Sequence, residues 1–228
     1  MLDKDMREPL FDFLDEYYGK VRVIEEKIIF ESRADVLAVL DSMIVGIEIK
    51  SDSDTYTRLK TQIKDYDKYC DLCYIAVGVS HEKHVAEHIP DYWGILVISE
   101  NEVRLVREPS ANPNVQIEYQ LSLLWRAELL SIQLKYEYPK YQNKSRLFIY
   151  RFLIERLGEQ KLKRAMTDVL FERDYTIFDD KNKKRIQART IKKAVSKGRK
   201  IANVTNYIGR KRKSSKRKRT AGARSNKK

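Results

Sequence analysis

The chain has 228 residues, of which 42% are hydrophobic, and this is enough for one complete core. Its apolar runs are short, as in residues 44–47, which excludes a bilayer-spanning segment, and the polar first residues lack the apolar stretch of a signal peptide. Cys70 and Cys73 are the only cysteines and do not suggest a disulfide framework. We therefore expect a protein of the reducing cytoplasm.

The charge of the chain is divided very unevenly along its length. The net charge is +13, yet residues 181–228 carry 21 of the 46 Lys and Arg residues and none of the 33 Asp and Glu residues. Residues 1–180 therefore have a net charge of −8, and residues 181–228 have a net charge of +21. A basic block of this kind is typical of a segment that binds phosphate backbones and, less often, acidic membranes.

The basic segment predicts a nucleic-acid partner, with DNA favoured, and no membrane partner. Its densest clusters consist of Lys211, Arg212, Lys213, Lys216, Arg217, Lys218 and Arg219. These clusters also fit a nuclear-targeting signal, should the host be eukaryotic. A nucleic-acid-binding arm accounts for all 21 charges, whereas targeting accounts for two clusters.

The apolar pattern predicts alternating helices and strands. Leu10, Phe13 and Leu14 recur at helical spacing before Gly19, and the nearly all-apolar residues 72–79 suit a central strand. The predicted helices span residues 4–17, 56–69, 81–89, 119–136, 145–157 and 159–172, and the predicted strands span 21–30, 33–40, 43–50, 72–79, 94–98 and 103–106. This order predicts an α/β fold with a mixed sheet flanked by helices.

Three parts follow from this pattern. Residues 1–116 contain the sheet, and residues 117–178 form a helical subdomain. Residues 179–228 form a basic, largely disordered tail, because few apolar residues remain there. The sequence indicates no particular oligomeric state.

A cluster of charged side chains is predicted at the end of the strand 43–50. Strand alternation places Glu48 and Lys50 on one face, while Ile47 and Ile49 point into the core. Asp35 lies on the preceding strand, and a hairpin brings it beside Glu48. Two carboxylates can bind a divalent ion that polarises a phosphoryl oxygen, and an ammonium group can orient water and stabilise developing charge.

Asp35, twelve intervening residues, and then Glu48-Ile49-Lys50 resemble the signature of the PD-(D/E)XK nuclease superfamily. The resemblance implies a restriction-endonuclease-like αβββαβ core and Mg²⁺- or Mn²⁺-dependent phosphodiester hydrolysis. It further implies that Asp35, Glu48 and the Ile49 carbonyl bind the metal and that Lys50 assists the attacking water. Ala34 stands where many members have proline.

Further residues extend this resemblance. Glu8 stands where some members have a metal-binding glutamate on the first helix, and Gln62 and Tyr66 match the Gln-x-x-x-Tyr helix of the RecB-like group. The segment Glu48–Thr55, with Arg58 and Gln62 after it, is similar to the bacterial and phage MmcB-related DNA-repair group. The resemblance thus implies a nuclease of DNA repair, recombination or phage DNA processing, cutting in either endo- or exo-mode, in a bacterial or phage-infected cell.

Plainer interpretations accompany these residues. Glu8 fits first-turn charge favoured by the helix dipole, and an exposed Asp-Glu-Lys set would be a surface ion pair. Arg58 and Lys64 are candidate phosphate contacts, although exposed charges are the default on a helix. The rival function is a non-catalytic nucleic-acid-binding protein on the same fold. Zinc at Cys70 and Cys73 would need two further ligands, and His81, His84 and His88 are near in sequence, but zinc is disfavoured because Cys73 is expected to begin a buried strand.

Overall fold

A computed structural model describes residues 1–100 and 102–174, so Asn101, residues 175–178 of the predicted helical subdomain and the predicted tail 179–228 lie outside the described residues. Six strands form one sheet in the order β1-β2-β3-β4-β5-β6. The strands are β1 Arg22–Ile29, β2 Ser32–Leu40, β3 Met43–Lys50, β4 Leu72–Gly78, β5 Gly94–Ile98 and β6 Val103–Arg107. The helices are α1 Asp3–Tyr18, α2 Leu59–Tyr69, α3 Ile117–Ser122, α4 Arg126–Lys135, α5 Arg146–Leu157 and α6 Glu159–Glu172.

The sheet is mixed, which confirms the predicted α/β class. Strands β1, β2 and β3 form an antiparallel meander, β3, β4 and β5 run parallel, and β6 returns antiparallel to β5. The turn between β2 and β3 consists of Asp41 and Ser42, and Ser42 takes a positive φ of 61°. The parallel pair β3 and β4 is joined by α2, because parallel neighbours need a crossover connection.

The two faces of β3 carry different chemistry. Val45, Ile47 and Ile49 pack in a core cluster with Met6 and Leu10 of α1. Helix α2 lies on the opposite face, where a Cβ atom added to Gly46 would stand 2.5 Å from both the Tyr66 ring and Cys70 Sγ. Glycine at position 46 therefore allows α2 to approach the strand closely, and Glu48 and Lys50 follow on the same face.

The later helices are joined to the sheet region by partly buried polar contacts. Asp71 accepts hydrogen bonds from the Ile44 amide, from Gln120 of α3 and from Lys163 of α6. The predicted boundary near residue 116 stays a prediction. None of the helices within the described part of the chain is long and apolar enough to cross a membrane.

Three predicted helices differ in their extent. The helix predicted over 56–69 begins at Leu59, because residues 56–58 form a turn in which the Leu59 amide donates to the Tyr56 carbonyl. The predicted helix 81–89 is two short 3₁₀ helices, Val79–His81 and Val85–His88.

The helix predicted over 119–136 is divided into α3 and α4. Arg146 donates to the Ser122 and Leu124 carbonyls, and Arg173 donates to the Leu123 carbonyl. Arginines from distant parts of the chain therefore satisfy the carbonyl groups at the break, which a local sequence pattern cannot anticipate.

Candidate active site

The site lies where β2 and β3 separate. Their last paired residues are Val36 and Ile47, so Asp35 and Glu48 occupy the next position on the two strands. Beyond Val36 and Ile47, hydrogen bonds from side chains replace the backbone hydrogen bonds between the two strands. The Tyr66 hydroxyl accepts from the Asp35 amide at 2.9 Å and donates to the Ile47 carbonyl at 3.1 Å. Tyr66, which is fully buried, therefore holds the fork between the strands in a fixed shape.

Asp35 is held by the backbone of the facing strand. Its Oδ2 atom accepts from the Ile49 amide at 2.9 Å, so the Ile49 peptide lies beside this carboxylate. Burial raises the pKa of Asp35, whereas the Ile49 hydrogen bond and the charge of Lys50 oppose that rise. The carboxylate remains partly exposed.

Glu48 and Lys50 form a buried ion pair next to Asp35. Lys50 Nζ donates to Glu48 Oε1 at 2.6 Å and to Gln62 Oε1 at 3.2 Å. Glu48 is 1% exposed and Lys50 is 5% exposed. Glu48 Oε2, by contrast, is buried without a hydrogen-bond partner. A lone pair in this position costs stability unless a ligand uses it.

The pKa of Glu48 is raised to about 7: burial is the largest cause, the nearby Asp35 charge acts in the same direction, and Lys50 and Tyr66 act against them. Two carboxylates that share a poorly hydrated space disfavour each other's ionisation. A bound cation would reverse this balance, because it attracts both charges.

The structure brings together five of the predicted residues and separates Glu8 from them. Asp35, Glu48, Lys50, Gln62 and Tyr66 converge through the contacts described above, with Ile49 between Glu48 and Lys50. Their catalytic and metal-binding roles stay predictions.

Glu8 is exposed and lines a different hollow, together with Glu100 and Glu102 of the connection between β5 and β6. The acidic residue of α1 that acts on Asp35 is Asp3, whose charge raises the Asp35 pKa, while Arg7 opposes it. Arg7 in turn pairs with Asp3 and with Glu25 and Glu26 of β1. Asp3 could not be predicted from the sequence, because it lies about one and a half helical turns from Glu8 and the pattern of α1 does not reveal which turn faces β2.

A cleft of about 330 Å³ opens onto the site. It is lined by Glu31, Ser32, Arg33, Asp35, Arg58, Thr61 and Gln62. Arg58, which was predicted to contact phosphate, thus lies at the cleft. Arg33 is a second exposed cation there, and the sequence did not predict it. Lys64 lies further along α2 and lines a separate groove.

Among residues 1–100 and 102–174, no cluster of three or more His, Cys, Asp or Glu side chains is arranged to hold a metal ion. The candidate centre is therefore a pair of carboxylates. Cys70 and Cys73 are both buried free thiols; Cys70 packs against β3, and burial raises the pKa of Cys73.

Residues 4–197 match the model of one protein family, described as Bacteriophage P4 protein cII. The chain belongs to this family. The matched segment of this cII-family chain includes every residue of the candidate site and the first part of the basic segment. It ends before the clusters that begin at Lys211. No curated protein matches the sequence.

Two solved structures resemble this cII-family chain distantly. A protein of unknown function from Silicibacter pomeroyi has 18% sequence identity and a TM-score of 0.42, and the match covers 68% of this chain and 94% of that one. SfsA of Pyrococcus furiosus, solved in complex with Ca²⁺, has 16% identity and a TM-score of 0.28, covering 49% of this chain and 62% of that one. Neither likeness is close enough to identify an activity.

Proposed function

We propose that this chain is a metal-dependent nuclease of the PD-(D/E)XK type that hydrolyses phosphodiester bonds in DNA. One observation carries the proposal. Asp35 and Glu48 lie at the same level of two separating strands, and the ammonium group of Lys50 lies between Glu48 and Gln62. An exposed surface ion pair, the plainer alternative, does not describe a pair that is almost fully buried.

The donor set fits a hard divalent cation. Carboxylate oxygens are the ligands that Mg²⁺ and Mn²⁺ prefer, and the unpartnered Oε2 of Glu48 supplies one. Asp35 and Glu48 would hold the ion, with the Ile49 peptide beside them. Once bound, the ion would polarise the phosphoryl oxygen and make bound water more acidic.

Lys50 has a different role. Its ammonium group is a donor and has no lone pair for a cation, so it acts on water and on the phosphate. Gln62 accepts from Lys50 Nζ and limits the positions that this amine can take. Gln62 is therefore a positioning residue in this proposal, as is Tyr66, which fixes the fork.

The charge division supports a nucleic-acid substrate. Residues 1–180 are acidic overall and repel a polyanion, whereas residues 181–228 carry 21 cations without a single acid. Arg58 provides local positive charge at the cleft, where Arg33 is also exposed but pairs with Glu26. We propose that the basic segment supplies affinity and that the cleft supplies the chemistry.

The test is incubation of the full-length protein with labelled linear, circular and branched DNA in Mg²⁺, in Mn²⁺ or in EDTA. We expect cleavage with metal, none in EDTA, and none with Glu48→Ala, whereas Glu16→Ala, which removes an exposed acid of α1, should cleave normally. Calorimetry with Mn²⁺ should show binding that Glu48→Ala abolishes. DNA binding without cleavage in either metal would instead support the non-catalytic rival.

A further inference from the structure

A second concave surface lies on the other flank of α2 from the cleft. It is a groove of about 510 Å³ lined by Tyr56, Leu59, Lys60, Ile63, Lys64, Glu87, His88, Ile89 and Pro90. The helix positions that line it differ from Arg58, Thr61 and Gln62, which line the cleft. No step of the proposed hydrolysis uses this groove.

Three aromatic rings follow one another at the groove. The Tyr56 ring stacks on His88 with centroids 4.2 Å apart and meets His81 edge-on at 5.0 Å. His81 Nε2 donates to the carbonyl of Ser51 at 3.0 Å, and Ser51 is the residue that follows Lys50 in the chain. The row of rings therefore begins beside the candidate site and ends at His88, which is exposed.

Stacking, and not hydrogen bonding, is the chemistry that Tyr56 offers. Its hydroxyl oxygen is buried and has no hydrogen-bond partner, and burial raises the pKa of this group. The ring is thus positioned by its neighbours. A flat ligand can continue the Tyr56–His88 stack on the exposed imidazole.

The charge along the groove favours an anion. Lys60 and Lys64 are exposed and have no acidic partner within the described part of the chain. The lining contains one acid, Glu87, which is hydrogen-bonded to His84 Nδ1 at 3.1 Å, so two lysines outnumber a single carboxylate there. Aromatic rings beside unpaired lysines are the combination that binds single-stranded nucleic acid, because rings stack on bases while cations follow the phosphates.

We infer that this groove binds an unpaired nucleotide next to the scissile phosphate, with its base stacked on His88 and its phosphates beside Lys60 and Lys64. The inference rests on the proposed nuclease function, since it places the substrate strand across the first turn of α2, past Arg58. Bases within a duplex already stack on each other and cannot reach the rings. The substrate class is therefore a single strand or an unpaired end, and either sugar is compatible with stacking.

The test measures binding in EDTA, so that it does not depend on cleavage. Full-length protein is titrated with a single-stranded oligonucleotide containing 2-aminopurine, at high salt to weaken phosphate contacts made by the basic segment. His88→Ala should lower the affinity roughly tenfold and reduce the quenching of 2-aminopurine, in keeping with the loss of one base-stacking contact. DNA and RNA strands are compared in parallel arms, and the tighter one identifies the sugar.

Matched variants separate stacking from other effects. His88→Phe and Tyr56→Phe should bind like wild type, because both keep a ring and the Tyr56 hydroxyl makes no bond. Lys83→Ala removes an exposed side chain that does not line the groove and should also have no effect. Fully paired duplex should be bound equally by His88→Ala and wild type.

Equal single-strand affinity for His88→Ala and wild type would overturn the inference, and so would an equal loss on duplex DNA. Absence of wild-type single-strand binding would also contradict it. Failure of the nuclease proposal has a different signature, namely normal ring-dependent binding in EDTA with no cleavage in Mg²⁺ or Mn²⁺.

Discussion

Glu48→Gln should change how the stability of the metal-free protein depends on pH. The pKa of Glu48 is raised from an ordinary 4.5 to about 7 in the folded protein, chiefly by burial. The folded state therefore holds the proton more tightly than the unfolded state between these two values. The stability that protonated Glu48 contributes is fully present below its pKa in the unfolded state. It is lost as pH rises through its pKa in the folded state.

The structure gives the size of this loss. Each pH unit between the two pKa values contributes about 1.4 kcal/mol, so ionisation of Glu48 costs about 3 kcal/mol by the time pH exceeds 7. Glutamine resembles the protonated acid and does not titrate. The free energy of unfolding of Glu48→Gln, relative to that of wild type, should therefore rise by about 3 kcal/mol between about pH 4 and pH 8.

The assay is urea denaturation of both proteins across this pH range in EDTA, because a bound cation would stabilise the ionised carboxylate. Glu16→Gln serves as the control, since it neutralises an exposed acid and should follow wild type at every pH. A constant difference between Glu48→Gln and wild type across the range would refute the reasoning, because it would mean that Glu48 does not titrate there.

Four further predictions concern the site and the basic segment. Lys50→Met should lower the cleavage rate roughly 100-fold or more, as the loss of a charge-stabilising donor does. Mn²⁺ binding, measured by calorimetry at alkaline pH, should persist. A wild-type cleavage rate would exclude a role for Lys50 in stabilising charge. Tyr66→Phe should destabilise the fold by about 1–3 kcal/mol in urea denaturation, because the two backbone groups of the fork lose their shared partner; Gln62→Ala should instead slow cleavage at nearly unchanged stability. Deletion of residues 181–228 should weaken DNA binding and flatten the dependence of log affinity on log salt, by about 0.9 per lost phosphate contact; an unchanged slope would assign the segment to targeting or to a protein partner.

The sequence predicted the positions of β2 and β3 because both strands obey local rules. Alternation along residues 43–50 separates Glu48 and Lys50 from Ile47 and Ile49, and the turn at Asp41-Ser42 sets the register. These two facts were enough to place Asp35 beside Glu48, as the structure does. The spacing of Gln62 and Tyr66 likewise predicted one helix face, and both residues reach the site.

Other features depend on contacts between distant segments and could not be predicted. Which turn of α1 approaches β2 depends on how the helix packs, so Glu8 was proposed although Asp3 is the acid that acts on Asp35. The break between α3 and α4 depends on Arg146 and Arg173, which lie more than twenty residues further along the chain. The groove requires the loop with His88 to fold back onto Tyr56.

The buried charges of this protein divide into two kinds, and the division bears on the proposal. Asp67 binds Trp93 with one carboxylate oxygen and Tyr92 with the other, and Arg173 binds both oxygens of Glu128. Charges satisfied in this way hold elements together.

Glu48 is different, because one of its oxygens is bound to Lys50 while Oε2 has no partner despite complete burial. Asp65, three residues beyond Gln62 on α2, also leaves one buried oxygen unpartnered, and Lys68 binds the other. The buried space between β3 and α2 raises the pKa of Glu48 to about 7, so an ionised carboxylate there costs stability. An apolar side chain at position 48 would pack in the same space without that cost. A stability requirement alone therefore does not account for this glutamate, and the cation that we propose would account for it by using the free oxygen.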